Sequence, residues 1–338
     1  MDSPTLAATA SALVAKGKGL LAADESTGTI KRRLETVGVE STEETRRAWR
    51  ELLFTTAGLG RYISGVILFD ETIRERASTG KSMVEHLTDE GIIPGIKVDK
   101  GTSPLAGAEG ELVTEGLDGL RGRLQEYAAM GARFSKWRAE IKIADHAPSA
   151  YCLHVNAHAL ARYAALSQAA GLMPIVEPEV MMDGRHGIQR CFEVTQAMHE
   201  TLFAELYRQR VFLEGCLLKT NMVLSGSDAA PRATPEEVVE QSLRCFRRGV
   251  PAAVPGIVFL SGGQEDEEAT LNLDAIGALA RAEGPPWALT FSYGRGLETA
   301  PLEAWAGKID NTGVAQAALL ERARATSLAR DGDYRASL

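Results

Sequence analysis

The sequence predicts an α/β fold, a (β/α)8 TIM barrel built as a single domain over residues 1–338, with an N-terminal helix and a short C-terminal tail. Three observations point there. Eight short apolar or β-branched runs recur along the chain, separated by longer helical patterns, which implies βαβ units and a parallel sheet. Runs such as GIVFLSGG are nearly continuous rather than alternating, as expected of strands covered on both faces by helices. Reactive side chains follow nearly every run. An open doubly wound sheet gathers its site at one crevice, whereas a barrel draws on the ends of many strands, so this distribution favours the barrel. At 338 residues the chain is long for one domain, but barrels of about 250 residues with extensions reach this size.

The elements can be justified in order. A small amphipathic helix in the first segment leads into the first strand, Gly19–Ala23, and the barrel extends over roughly residues 18–330. Thr42–Leu53 reads as a helix that opens on a capping residue followed by acids. The second and third strands are Tyr62–Phe69 and Ile93–Val98. Leu117–Met130 has apolar positions at helical spacing before a fourth strand, Ala132–Trp137. The alanine-rich helix Ala150–Ala170 precedes the fifth strand, Leu172–Val176, and the sixth is Leu213–Lys219. Thr234–Gly249 opens with Thr, Pro and two acids and stops at glycine, a helix with both ends marked. Strands Gly256–Leu260 and Ala288–Phe291 complete the eight, and Ala315–Arg330 is a last helix. The tail DGDYRASL, residues 331–338, reads as flexible.

Composition bounds the function. Basic residues number 37 against 45 acidic, a net charge of −8, which argues against general nucleic-acid binding. A cleft can still be locally basic. No apolar run approaches the ~20 residues of a membrane span. The first segment has an acid at Asp2 and neither a basic signal-peptide n-region nor the arginines of a transit peptide, so the cytoplasm is expected. Four scattered cysteines, Cys152, Cys191, Cys216 and Cys245, form no C-x-x-C pair and fit a reducing compartment.

The chemistry centres on Lys219, which ends an apolar run in LEGCLLKTNMV. Burial disfavours an ammonium, so a lysine there needs a task or must snorkel to the rim. Lys136 and Arg138 in FSKWRAE lie two apart on a strand and share a face. A second ammonium near Lys219 would favour the neutral amine that attacks a carbonyl. Glu177 and Glu179 in IVEPEV share a face by the same spacing, and Asp24 closes the first strand. Carboxylates among lysines suit proton transfer, or form buried ion pairs. SGGQ at 261–264 and SYGRG at 292–296 follow the seventh and eighth strands, where barrels often bind phosphate. Arg295 can fork onto phosphate oxygens. The run Lys31, Arg32, Arg33 and Lys97 offer a second anion site, with a helix N-terminus near Ser26–Gly28; a solvated basic face is the plainer account of the run. His154 and His158, four apart, have metal-ligand spacing, but they sit on an outer helix with no evident third ligand, so no metal is expected.

These stretches resemble the class I fructose-bisphosphate aldolases. LLAADESTGTIKRRL, GVILFDETI, GIKVDKGTSPLAG, GLDGLRGRLQEYAAMGARFSKWR, PIVEPEV, LEGCLLKTNMV, GIVFLSGGQEDEEAT and WALTFSYGRGLE carry the likeness in order across nearly the whole chain. The resemblance implies reversible cleavage of fructose 1,6-bisphosphate to dihydroxyacetone phosphate and glyceraldehyde 3-phosphate, in glycolysis and gluconeogenesis, without a metal or other cofactor. It implies Lys219 as the Schiff-base lysine and Lys136 as an aid to carbinolamine formation. Glu177 matches the acid that dehydrates the carbinolamine, Glu179 its carboxylate neighbour, and Asp24 the base at the C4 hydroxyl. Arg138 matches a substrate-contacting arginine. Ser261, Gly262, Ser292, Gly294 and Arg295 match the C1-phosphate pocket; Ser26, Thr29, Lys97, Arg32 and Arg33 match the C6-phosphate region. A small phosphorylated ketose is the implied partner, and the implied assembly is a homotetramer.

Three departures stand out. Thr220 follows Lys219 where the family usually has proline, and Arg32 stands where it often has lysine. Many members end in a tyrosine that helps protonate the enamine; this chain ends DYRASL, leaving Tyr334 as the available phenol and a slower or differently gated enamine step as the expectation. Alternatives to the main reading are a Schiff-base aldolase preferring sedoheptulose 1,7-bisphosphate or fructose 1-phosphate, and a phosphate-ligand barrel with a scaffolding role.

Overall fold

The computed structural model describes residues 2–334. Eight parallel strands close on themselves: β1 (Gly19–Ala23), β2 (Ile63–Leu68), β3 (Ile93–Lys97), β4 (Phe134–Ile141), β5 (Met173–Val180), β6 (Leu217–Thr220), β7 (Gly256–Phe259) and β8 (Ala288–Tyr293). Each pairs with its sequence neighbours, and β1 closes the ring against β8 with Leu20 opposite Ser292. Helices surround the ring, and a small antiparallel ribbon, Thr102–Pro104 with Leu112–Thr114, follows β3.

Strand parity divides the core in two. Leu20 and Ala22 of β1 pack inside the barrel with Phe134, Met173, Ile175, Leu217 and Val258. Leu21 and Ala23, one residue out of phase, pack outward against the helices. Leu6, Ala10 and Leu13 of the N-terminal helix Ser3–Leu13 join the inner group and close the barrel's lower end. Phe134 needs space that its neighbours supply: a Cβ on Gly95 of β3 would collide with its ring.

The capping signals read in the sequence operate as such. Thr42 and Thr234 cap helices Glu43–Phe54 and Pro235–Gly249, each in a reciprocal capping box. The boundaries differ where function intrudes. β4 and β5 run four residues past the expected ends, because only their inner face turns polar there. Ala139, Ile141 and Val180 keep the outer face apolar, so the strands continue. β6 is shorter than expected. Leu213–Gly215 forms a 3-10 turn whose backbone is satisfied by Gln168: its amide donates to the carbonyls of Phe212 at 2.8 Å and Gly215 at 2.9 Å.

The tail also departs from expectation over residues 331–334. Asp331, Gly332 and Asp333 bond back to the end of the last helix, and the Tyr334 N–H donates to Asp274 Oδ1 at 2.7 Å. Residues 335–338 lie outside the described residues.

Candidate active site

The inner positions that are apolar low in the barrel become charged or small toward the C-terminal ends of the strands. Following parity upward, Leu20 and Ala22 lead to Asp24, Phe134 to Lys136 and Arg138, Ile175 to Glu177 and Glu179, Leu217 to Lys219, and Thr290 to Ser292. These side chains line one cleft of about 430 Å³, together with Lys97, Ser26, Thr29, Arg33, Ser261, Gly262, Gly294 and Arg295. Arg32 is the exception. It is exposed, outside the cleft lining, and donates to Thr29 Oγ1 at 3.3 Å.

Glu177 is the hub. Its Oε1 lies 3.0 Å from Lys219 Nζ and its Oε2 lies 2.9 Å from Lys136 Nζ. Lys136 also reaches Asp24 Oδ2 at 2.7 Å. Lys219 and Lys136 are only 4% and 3% exposed, and Glu177 2%. Burial alone would push the Glu177 carboxyl up, but Lys136, then Lys219 and Arg138, outweigh it and hold the group at about 2. Burial works against charge on Lys136 as well, yet Asp24, Glu177 and Asp99 hold its pKa well above the ordinary lysine value. The expected juxtaposition of two ammoniums is therefore modified. Lys136 does not face Lys219 bare; a carboxylate stands between them and forms an ion pair with each.

A second set of ion pairs fixes one flank. Arg138 is held by Glu179 and by Glu140, the latter at 2.6 Å. Lys97 pairs with Asp99 at 2.7 Å, and Asp99 also accepts the Arg138 N–H at 3.2 Å. Asp99, Glu140 and Lys100 line the cleft and were not singled out from the sequence. The spacing Lys97-x-Asp99 and Arg138-x-Glu140 carried the signal, since period two puts each pair on one face.

The opposite flank has anion-binding character. Helix Arg295–Trp305 begins at Gly294 with no side-chain cap, and its first turn faces the cleft. The Ser292 hydroxyl is buried without a protein partner. Ser261 and Gly262 line the adjoining wall. Free N–H groups at a helix start, a spare hydroxyl and an arginine suit a phosphate. Helix Thr27–Thr36 also starts at the cleft, with the Ser26 hydroxyl 3.2 Å from Thr29 rather than capping.

Arg33 lies at the 292–295 cradle, one helical turn from Thr29 of the second anion site the sequence implied. A Cβ on Gly294 would sit 3.5 Å from Arg33 Nη2. Its guanidinium is shared by Glu25 and Glu298, and Arg50 closes the cluster from below through Glu25. Burial, then the Glu25 charge, pushes the Glu298 carboxyl well above its ordinary value. No sequence signal marked Glu298, because its partners come from two distant helices and the loop after β1.

The remaining candidates resolve into structure. His154 and His158 both face Glu205, at 3.9 and 3.3 Å, but Arg208 already holds that carboxylate at 2.6 Å. Among the described residues no group of three or more His, Cys, Asp or Glu is arranged to hold a metal ion. All four cysteines are free and buried, and burial pushes the Cys216 and Cys245 thiols up to about 12. Among the described residues no helix is long and apolar enough to cross a membrane. Tyr334 does not line the cleft; its hydroxyl lies 3.2 Å from Glu267.

Comparison with known proteins agrees with this geometry. The family described as fructose-bisphosphate aldolase class-I matches residues 5–338. A probable fructose-bisphosphate aldolase class 1 of Xanthomonas campestris is 54% identical over 336 residues, covering 99% of this chain and all of that protein. The cytosolic fructose-bisphosphate aldolase 4 of Arabidopsis thaliana is 51% identical, covering 98% of this chain and 84% of its own. Among solved structures, the fructose-bisphosphate aldolase of Plasmodium falciparum, in a ternary complex with TRAP and a small-molecule inhibitor, superposes with a TM-score of 0.96 at 49% identity, covering 98% of this chain and 95% of that one. The chain belongs to the class-I fructose-bisphosphate aldolase family.

Proposed function

We propose that this protein cleaves fructose 1,6-bisphosphate reversibly to dihydroxyacetone phosphate and glyceraldehyde 3-phosphate through a Schiff base on Lys219. The observation that carries the reading is the single carboxyl of Glu177 ion-paired with Lys219 and Lys136 in a cleft that ends in an anion cradle. Glu177, 3.0 Å away, takes a proton from the Lys219 ammonium and frees the amine to attack the C2 carbonyl. Lys136 stays an ammonium and stabilises the developing alkoxide, which takes the proton released by the attacking nitrogen and becomes the carbinolamine hydroxyl. Glu177 then protonates the carbinolamine hydroxyl, which leaves as water and gives the iminium. Asp24 accepts the C4-hydroxyl proton, the C3–C4 bond breaks, and its electron pair passes into the iminium as an enamine. Glyceraldehyde 3-phosphate departs. Protonation at C3 and hydrolysis release dihydroxyacetone phosphate and restore Lys219.

The cradle at Ser261, Gly262, Ser292, Gly294 and Arg295 is assigned to the C1 phosphate, and the edge at Ser26, Thr29 and Lys97 to the C6 phosphate. Glu179 serves by fixing Arg138 at the flank. Binding both phosphates spends binding energy on orienting C4 against Asp24. We place the activity in glycolysis and gluconeogenesis, and in the cytoplasm, the latter as the names of the plant cytosolic relatives support. The homotetramer implied by the resemblance is a matter for sedimentation velocity.

The test is borohydride trapping with fructose 1,6-bisphosphate in the presence of a chelator, followed by peptide mass mapping. Irreversible inactivation with a reduced triose-phosphate adduct on Lys219 is expected. Activity that survives borohydride but dies with the chelator would refute the Schiff base. Comparing kcat/KM for fructose 1,6-bisphosphate, sedoheptulose 1,7-bisphosphate and fructose 1-phosphate ranks the ketoses.

A further inference from the structure

Behind β6, on the side away from the cleft, a polar chain runs through the core with no role in the chemistry above. Thr220, the residue after Lys219, is fully buried, and its hydroxyl lies 3.1 Å from His199 Nε2. His199 comes from helix Ile188–Arg208, is itself fully buried, and has no partner for Nδ1. Burial pushes the His199 pKa down to about 3, so the ring is neutral at working pH. A neutral ring with one partner is best served when Nε2 carries the proton and donates it, because a bare Nδ1 costs less than a buried unpaired N–H. Thr220 Oγ1 then accepts from His199 and donates onward to Asn221 Oδ1, 3.4 Å away. Asn221 Oδ1 also accepts the Val180 N–H from the end of β5 at 3.1 Å, and its amide donates to Thr195 Oγ1 at 3.2 Å and to the Met222 carbonyl at 2.9 Å.

The position of this chain matters. The β5–β6 register is Ile175 opposite Leu217 and Val176 opposite Leu218, and it stops there. The pair that meets across these strands at the cleft, Glu177 and Lys219, lies just beyond the last registered pair. Past that point the Asn221–Val180 bond ties the two strand ends together, and Thr220 and His199 orient Asn221.

We infer that His199, Thr220 and Asn221 form a positioning latch that holds Lys219 within proton-transfer distance of Glu177. The inference rests on Lys219 being the Schiff-base lysine. The latch acts through the backbone of β6 and touches no substrate, so its loss lowers the rate of iminium formation and leaves substrate binding intact. A displacement of about 1 Å at such a contact can cost on the order of 100-fold in rate.

The test compares Thr220→Val, which keeps the shape and removes the hydroxyl, with Thr220→Ser, which keeps the hydroxyl and removes the methyl. For each full-length protein, kcat, KM and the single-turnover rate of borohydride trapping are measured with fructose 1,6-bisphosphate. Thr220→Val is expected to lose about tenfold or more in kcat and in trapping rate with KM within about twofold of the parent, and Thr220→Ser to stay within about twofold throughout. Should Thr220→Val not fold, His199→Leu removes the same bond from the other side and carries the same expectation. The latch is overturned if Thr220→Val or His199→Leu keeps the parent's kcat, or if Thr220→Ser falls as far as Thr220→Val, which would assign the effect to methyl packing. A parent protein that forms no adduct would overturn the Schiff-base reading itself, and that result is distinct from a parent that traps normally beside an unaffected variant.

Discussion

Lys136→Met is the most informative single change, because Lys136 forms ion pairs with both Asp24 and Glu177, at 2.7 and 2.9 Å. Methionine keeps the unbranched shape and removes the charge. Two buried carboxylates then lose their shared cation, and breaking such a pair costs ~3–5 kcal/mol. The lower end is expected, since both groups border a cleft that admits water. In rate, loss of a positioned donor to a developing oxyanion costs roughly 100- to 1,000-fold. The two effects separate by assay. Turnover and borohydride trapping report the chemistry, and thermal unfolding across pH reports the ion cluster. The Glu177 carboxyl is held at about 2 against an ordinary value of 4.5. A carboxyl depressed on folding adds stability that is present above 4.5 and lost as pH falls through about 2. In Lys136→Met the largest attraction is gone while burial remains, so the carboxyl rises and acid sensitivity begins at higher pH. A variant that traps and turns over within threefold of the parent, with an unchanged acid midpoint, would refute the assignment of Lys136 as a working ammonium.

Four further outcomes are expected. Glu177→Gln should keep KM and lose about 100- to 10,000-fold in kcat, as removal of a general acid does; a rise in KM alone would count against its role. Arg295→Ala should raise KM for fructose 1,6-bisphosphate about 10- to 100-fold, the worth of a charged hydrogen bond of ~1.5–3 kcal/mol, and an unchanged KM would empty the cradle of its assigned phosphate. Burial, then the Glu71 charge, raises the half-buried Glu75 carboxyl to about 7 from an ordinary 4.5. Folding then takes up a proton between these values and stability falls as pH rises through them, so Glu75→Gln should melt higher than the parent at pH ~8 and alike at pH ~4, and equal melting at the higher pH would rule this out. Tyr334→Phe should leave turnover and enamine proton exchange unchanged, since its hydroxyl is engaged by Glu267 at 3.2 Å; a slowed exchange would return the tail to the mechanism.

Much of the fold and site was legible because one rule served both. The eight runs were apolar enough to mark strands, and period two placed Lys136 with Arg138 and Glu177 with Glu179. The same rule explains where boundaries went wrong. β4 and β5 were ended at Trp137 and Val176 because hydrophobicity stops there on the inner face, although Ile141 and Val180 continue the outer one. What sequence could not show was pairing across distance. Glu298 meets Glu25 and Arg33 through the tertiary fold alone, and nothing in EGCLLKTNMV announces that a histidine 21 residues before Thr220 ends on it.

The cleft also shows why a basic lining does not measure anion affinity. Its walls carry Arg33, Lys97, Lys100, Lys136, Arg138, Lys219 and Arg295 against Asp24, Glu25, Asp99, Glu140, Glu177 and Glu179, seven cations to six anions. Five of the seven cations are committed in ion pairs: Arg33 to Glu25 and Glu298, Lys97 to Asp99, Lys136 to Asp24 and Glu177, Arg138 to Glu179 and Glu140, and Lys219 to Glu177. Among the described residues Lys100 and Arg295 have no ion pair, and both are exposed. A committed cation must give up a carboxylate before it can serve a phosphate, so its net contribution is small, whereas an exposed unpaired one gives most of its interaction to the ligand. On this accounting the phosphates are drawn first to the two free cations, Arg295 at the helix start on one side and Lys100 after β3 on the other. Lys97, paired to Asp99, adds less at the C6 edge, and Lys136 and Lys219 are left to the reacting carbon, which is the division of labour a bisphosphate substrate requires.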